Sequence, residues 1–307
     1  MVIVSEIRAA CSEVAARARH VRIEHETIPA YAASLPVEDP LALPDSAAHL
    51  IEGTREELAA FWLTLDAINF GSGWFPTLHK RAGRSGYFTI ATGVRERFER
   101  AGPWTPEQLL GLEPAEIART LAQDPSHELM GLFARSLNDL GKHVAENHGG
   151  RFESIVDAAT DSAVRLVEQL ASWECFADTS IYDGFEVPFL KRAQIAAADL
   201  ARAGVLEAGD LDRLTMFADN LVPHVLRLDG VLAFDSDLIR RIDQGALIEH
   251  GSPEEVEIRS CALHAVELIA AQRPGSRAAD VDQLLWLRGQ QPQYKASPRH
   301  RSRCTAY

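Results

Sequence analysis

The sequence predicts a mostly α-helical protein with two lobes, and three observations carry that expectation. Apolar residues recur at three-to-four spacing in most segments. Three stretches carry capping-box signatures: Thr54-Arg-Glu-Glu57, Thr105-Pro-Glu-Gln108 and Ser252-Pro-Glu-Glu255. No alternating strand–helix rhythm and no repeat at solenoid periods interrupts this pattern. All 307 residues are read as a single helical domain with one short β hairpin near Tyr87–Thr92.

The elements follow in order. Residues 3–19 form an amphipathic helix, His20–Ile23 a short extended piece, and the proline-bearing stretch 24–47 is mostly irregular. Thr54 caps a helix through Leu58, Phe61, Trp62, Leu65 and Ile68, stopped near Gly71. Helices follow at 105–108 (with Pro106 at the first helical position), 115–123 and 127–146, then one amphipathic helix over Arg151–Cys175. Asp178–Pro188 reads as a turn-rich connection, Gly230–Ile242 as a helical hairpin element. Ser252 launches a helix with Ile258, Cys261, Ala265 and Ile269 on one stripe, and Val281–Leu287 is a last apolar helix before a basic tail.

Composition narrows the function classes. Hydrophobic residues make up 46% of the chain, enough for a substantial core. A net charge of −13 argues against a duplex-binding protein, which needs a basic face. Cys11, Cys175, Cys261 and Cys304 lie far apart with no CxxC pair, so neither a disulfide framework nor a zinc site is expected. No apolar run reaches the ~18 residues that span a bilayer, and Glu6 and Arg8 interrupt the N-terminal apolar positions. These features lead to an expectation of a cytoplasmic protein without membrane contact. Eleven scattered histidines give no paired metal-ligand spacing, and no cofactor is expected.

Chemistry is sought first in Phe189–Leu226. Two helical segments there each carry an aspartate among apolar neighbours, Asp199 and Asp219. A carboxylate in such company costs several kcal/mol unless something compensates it. Lys191, Ile195 and Asp199 stand at i, i+4 and i+8 on one helix face. The helical rise separates Lys191 from Asp199 by ~12 Å, suited to opposite ends of one bound molecule. The structural alternatives are a solvated Lys191, an Asp199 that pairs with a neighbouring helix, and an Asp219 that caps the segment Asn220–Leu226. Asp66 and Asn69, three apart, share a face beside the Gly71-Ser-Gly73 break, which presents Trp74. Phe70 and Trp74 are the candidates for stacking on a flat ring, whereas Trp62, Trp173 and Trp286 read as core. Glu255 reads as the capping residue, and Glu257 and Arg259 as an ion pair or pocket lining.

Taken together, six ordered segments resemble the queuosine salvage protein family. They are Leu65–Phe70 with Trp74, Lys191–Ile195 with Asp199, Leu214–Asp219 with Val222-Pro223, then Val225-Leu226, Glu255–Arg259 with Val266–Ile269, and His300–Cys304 with Tyr307. The chain departs from the family pattern at Gly71-Ser-Gly73, at Asn220-Leu221 and at His264. The resemblance implies an all-helical fold related to helix-hairpin-helix DNA glycosylases. It also implies a queuosine 5′-phosphate N-glycosylase that releases queuine and ribose 5-phosphate. On that basis Asp199 is expected at the sugar with Asp219 as second choice, and Lys191 at the 5′-phosphate. Asp66 and Asn69 would read the base edge, with Phe70 and Trp74 stacked on it and Glu257 and Arg259 in the substrate-binding set. The expected partner is a small-molecule nucleotide, without stable nucleic-acid binding. The rival readings are a DNA base-excision glycosylase, which a duplex gel shift would reveal, and a non-catalytic helical module that binds queuine or tRNA.

Overall fold

The structure is a computed structural model that describes residues 3–36 and 45–307. The N-terminal helix α1 (Ile3–Arg17) leads into strand β1 (Val21–Ile23) and helix α2 (Ile28–Ser34). α2 corrects the expectation of irregular chain over 24–47; Pro29 at its start supplies the pre-set φ of a first helical turn. Part of that stretch, 37–44, lies outside the described residues.

A helical group follows: α3 (Arg55–Ala67), α4 (Gly86–Ala101), α5 (Pro106–Leu110), α6 (Pro114–Leu121), α7 (Glu128–Asn147), α8 (Glu153–Ala158) and α9 (Ala163–Ala171). Both side chains of the Thr54/Glu57 and Thr105/Gln108 capping boxes make their reciprocal bonds. α3 is the axis of this group, buried without a break from Leu58 to Ala67 and packed against α4, α7 and α8. Two expectations are corrected here. Tyr87–Thr92 lies in α4, whose N-terminus Ser85 caps by accepting from the Phe88 amide. The long helix expected over 151–175 is broken between α8 and α9, where Thr160 and Asp161 adopt left-handed backbone.

The hairpin stands instead at β2 (Thr179–Tyr182) and β3 (Phe185–Pro188), antiparallel, turned by Asp183 and Gly184 at positive φ. It leads into α10 (Lys191–Arg202), which packs on α3 and α9. After an irregular stretch come α11 (Leu221–Leu228), β4 (Leu232–Phe234) and α12 (Ser236–Asp243). β4 pairs antiparallel with β1, so the expected helical hairpin element is half strand. The chain closes with α13 (Pro253–Ala271), α14 (Ala278–Arg288), α15 (Pro292–Lys295) and an extended tail. At α13 Ser252 caps the Glu255 amide, but the Glu255 carboxylate accepts from Gly251, so that box is only half formed.

α1, α2, α11 and α14 gather around α13 as a second helical group. One contiguous apolar core runs through both groups. The tail at 299–307 returns to the first group. Gly71 donates to the Tyr307 carbonyl at 3.0 Å, Ile248 to the Arg301 carbonyl at 2.9 Å, and Asn220 Nδ2 to the His300 carbonyl at 3.1 Å. At Gly73 the two backbones approach so closely that a Cβ would sit 2.2 Å from the Ser302 carbonyl oxygen.

Candidate active site

A cavity of about 790 Å³ opens where the two helical groups and the tail meet. One wall comes from the C-terminal end of α3 and the start of α4, the floor from α10, and the other wall from residues 217–221, α14 and the tail. Each wall is fixed locally. The Ala67 carbonyl, orphaned at the end of α3, accepts from Arg192 Nη1 and Ser136 Oγ, both at 2.6 Å. The irregular stretch before α11 is held by Gln194, which accepts from the Thr215 amide, and by Asp282, which accepts from the Phe217 amide.

These anchors deliver Asp219 into the cavity. Its Oδ1 accepts from the amides of Leu221 at 2.7 Å and Val222 at 3.1 Å, the first two donors of α11. The carboxylate is therefore both a helix cap and a cavity group, with Oδ2 making no protein hydrogen bond among the described residues. The helix that follows accommodates Pro223 in its first turn.

On α10, Lys191, Ile195 and Asp199 all line the cavity, as their spacing places them. Asp199 is buried and pairs with Arg202 one turn on. Burial pushes the Asp199 carboxyl up, opposed by Arg202 and Lys191. Lys191 is also buried, and loss of solvent lowers its pKa while Asp219 and Asp66 oppose that shift. Its Nζ donates to the Asn69 carbonyl at 2.9 Å.

Asp66 and Asn69 are joined, Nδ2 to Oδ1 at 3.2 Å. Asn69 and Phe70 line the cavity; Asp66 stands one layer behind, fully buried, with Oδ2 lacking any partner. Burial first and the Asp199 charge second push the Asp66 carboxyl well above the usual carboxylate range. Asp199 thus lines the α3–α10 side of the cavity with Asp66 behind it, and burial shifts both carboxyls upward.

The structure separates three expected residues from this cavity. The Gly71–Gly73 turn, with Gly71 at φ +97°, turns Trp74 away from the cavity into the core, where its Nε1 donates to Glu128 at 2.8 Å. Ser72 and Phe75 take the cavity side instead. Glu257 accepts from the amides of Arg19, His20 and Val21 and from the Tyr182 hydroxyl, which fully occupies it. Arg259 makes a bidentate pair with Asp178 at 2.7 and 3.0 Å, both side chains wholly buried. The guanidinium is sandwiched between the rings of Phe189 and Tyr307, and only Tyr307 reaches the cavity.

Other cavity residues escaped the sequence reading. Asp282 is buried beside Asp219 and pushed well up by burial and then by that neighbour. Trp62 and Trp286, read as core, belong to an aromatic wall with His49, Tyr87 and Phe88. His49 stacks on Trp62 at 5.2 Å between centroids and hydrogen-bonds to the Tyr87 hydroxyl at 2.9 Å. Burial lowers the His49 pKa to about 4, which leaves a neutral ring against the wall. The only available signal was compositional, an aromatic pair at Tyr87-Phe88 after Gly-Arg-Ser-Gly, because the stacking partners are distant in sequence.

Buried acids, one fixed carboxylate and an aromatic wall around one cleft of a helical protein are groups that can perform acid–base chemistry on a small molecule with a flat ring. Comparison with known proteins makes this more specific. The model of the family described as queuosine salvage protein matches residues 49–307. The chain is 35% identical to a queuosine 5′-phosphate N-glycosylase/hydrolase of Sphaerobacter thermophilus over 268 residues, 82% of each chain. A protein of that name from Mus musculus is 27% identical over 96% of both chains, and one from Dictyostelium discoideum 32% identical over 82% of this chain and 79% of its own. The chain belongs to the queuosine salvage protein family.

Proposed function

We propose that this protein hydrolyses the N-glycosidic bond of queuosine 5′-phosphate, releasing queuine for reuse in tRNA together with ribose 5-phosphate. The observation that carries the reading is the division of labour among the cavity acids. Asp219 is oriented by two amides with one oxygen free of protein hydrogen bonds among the described residues, whereas burial shifts the Asp199, Asp66 and Asp282 carboxyls upward. Carboxyls held in unlike surroundings can take different roles within one site.

Cleavage passes through an oxocarbenium-like sugar, and a nearby carboxylate stabilises that charge or captures the sugar. Asp219 suits this role better than Asp199, one of whose oxygens is engaged by Arg202. The C1′–N bond breaks with its electron pair moving to the base. Queuine is a 7-deazaguanine and lacks the N7 at which purines are protonated, so the protein must meet that charge at another edge. Asp199 supplies the hydrogen bond or proton there, with Asp66 behind it. Water then bonds to C1′ and passes its proton to the Asp219 carboxylate. Asn69 and Phe70, with the aromatic wall, hold the flat base. Lys191 is placed between carboxylates and steadies them.

The substrate is a small nucleotide, and we expect no stable duplex binding from a chain of net charge −13. Among the described residues no helix is long and apolar enough to cross a membrane, and the four cysteines are free and buried, which supports a cytoplasmic setting. The direct test incubates the pure protein with queuosine 5′-phosphate and with the nucleoside and follows free queuine. Asp219→Asn should cut kcat by at least about 100-fold, more than Asp199→Asn does. Retained queuine binding without any base release from the wild type would overturn the reading in favour of a non-catalytic binder.

A further inference from the structure

We propose that Arg299 is the group that recognises the phosphate of the substrate and makes the site selective for a phosphomonoester over a plain nucleoside. The inference rests on the glycosylase reading but has an arm that survives its failure.

The cavity lining is cationic within an acidic protein, yet most of its cations are engaged. Lys191 donates to Asn69, Arg202 pairs with Asp199, Arg84 with Asp45, and Arg301 donates to the Gly245 carbonyl. Lys80 and Lys295 stand exposed at the mouth. Arg299 differs from all of these. It is recessed in the lining and makes no hydrogen bond and no ion pair within 4.0 Å to any described residue. Loss of solvent lowers its pKa, and the charge it feels from the protein is that of Asp219, beyond contact distance. A recessed guanidinium that meets no protein acceptor keeps its donors free for an anion brought into the cavity.

The backbone that launches this side chain is held on both sides. Arg227 Nη2 donates to the Pro298 carbonyl at 3.1 Å, and Asn220 Nδ2 to the His300 carbonyl at 3.1 Å. Asn220 is the neighbour of Asp219, so one residue ties the phosphate end of the cavity to the carboxylate proposed to face the sugar. That matches a nucleotide, in which the ribose separates the phosphate from C1′. A planar guanidinium also suits a phosphate's bidentate geometry, which an ammonium such as Lys191 does not offer.

The test compares wild type with Arg299→Gln and Arg299→Lys, each checked for an unaltered melting temperature. The ratio of kcat/KM for queuosine 5′-phosphate to that for the nucleoside should fall about 10- to 100-fold in Arg299→Gln, mainly through KM, with partial rescue in Arg299→Lys. Equal losses on both substrates, or no loss on either, would overturn the assignment. A separate arm uses ribose 5-phosphate as a thermal-shift ligand. It should raise the melting temperature of the wild type and not of Arg299→Gln. That result would support the phosphate site even if no base were released, whereas protection of both proteins alike would count against it.

Discussion

Replacing Arg259 with Met distinguishes a structural cation from a substrate-binding one. In the folded protein its Nη atoms hold Asp178 at 2.7 and 3.0 Å, and its Nε donates to the Ala218 carbonyl at 2.9 Å. Asp178 in turn accepts from the Lys191 amide at the start of α10. Met fills most of the space between Phe189 and Tyr307 but leaves Asp178 charged, buried and without its partner. Breaking a wholly buried pair from one side costs roughly 3–5 kcal/mol. The melting temperature falls by about 2–4 °C per kcal/mol in domains of 150–250 residues, so a drop of roughly 6–20 °C is expected in differential scanning calorimetry. Asp178→Asn combined with Arg259→Met should recover part of that loss, because the stranded charge is gone. Turnover per folded molecule should change only a few-fold. If Arg259→Met melts within about 2 °C of wild type while KM rises tenfold or more, Arg259 touches the substrate and the structural account fails.

Further expectations concern pH and close packing. The Asp66 carboxyl is raised in the folded state, so its favourable contribution is full below its unfolded value of 3.8 and is lost as pH rises through the folded value. Asp66→Asn should therefore gain in melting temperature over wild type as pH goes from 4 to 8; a parallel deficit at both ends would contradict the assignment. His250 is pushed up to about 10 by its contacts with Cys304 and then Glu255. Its contribution is full below 6.5 and fades through about pH 10, so the deficit of His250→Gln in pH-dependent melting should shrink over that range. Gly73→Ala forces a Cβ onto the Ser302 carbonyl, so it should lower both melting temperature and base release. A normal melting curve with normal kinetics would show that the tail can shift without cost.

The sequence showed the helices with strong local signals and missed what depends on distant partners. Thr54 and Thr105 announced their helices because a capping box is complete within four residues. The break between α8 and α9 went unseen because its left-handed residues are Thr160 and Asp161 and not glycine. The β2–β3 hairpin was passed over as a turn-rich connection, while β1 and β4 find each other across more than 200 residues. In the site, Lys191, Ile195 and Asp199 were legible because helical periodicity alone aligns them on the cavity face. Asp282 and Arg299 were not, since only tertiary packing brings them beside Asp219. Arg259 and Glu257 drew attention as charges in an apolar helix, and the reason for their burial is structural pairing.

The tail that docks against Gly71 and Gly73 has a consequence for how the protein is made. The cavity takes residues from 45–88 and from 282–301 together, with Tyr307 closing one side. During synthesis the first helical group can pack once its own residues have emerged, because its contacts are mostly within that group. The cleft has no such early form. Until residues 299–307 leave the ribosome, Asp219 can cap α11 but the part of the wall that Arg299, Arg301 and Tyr307 supply is missing. Ligand capture thus waits on residues 299–307. A nascent chain paused upstream of Arg299 would carry a nearly complete core and no working pocket.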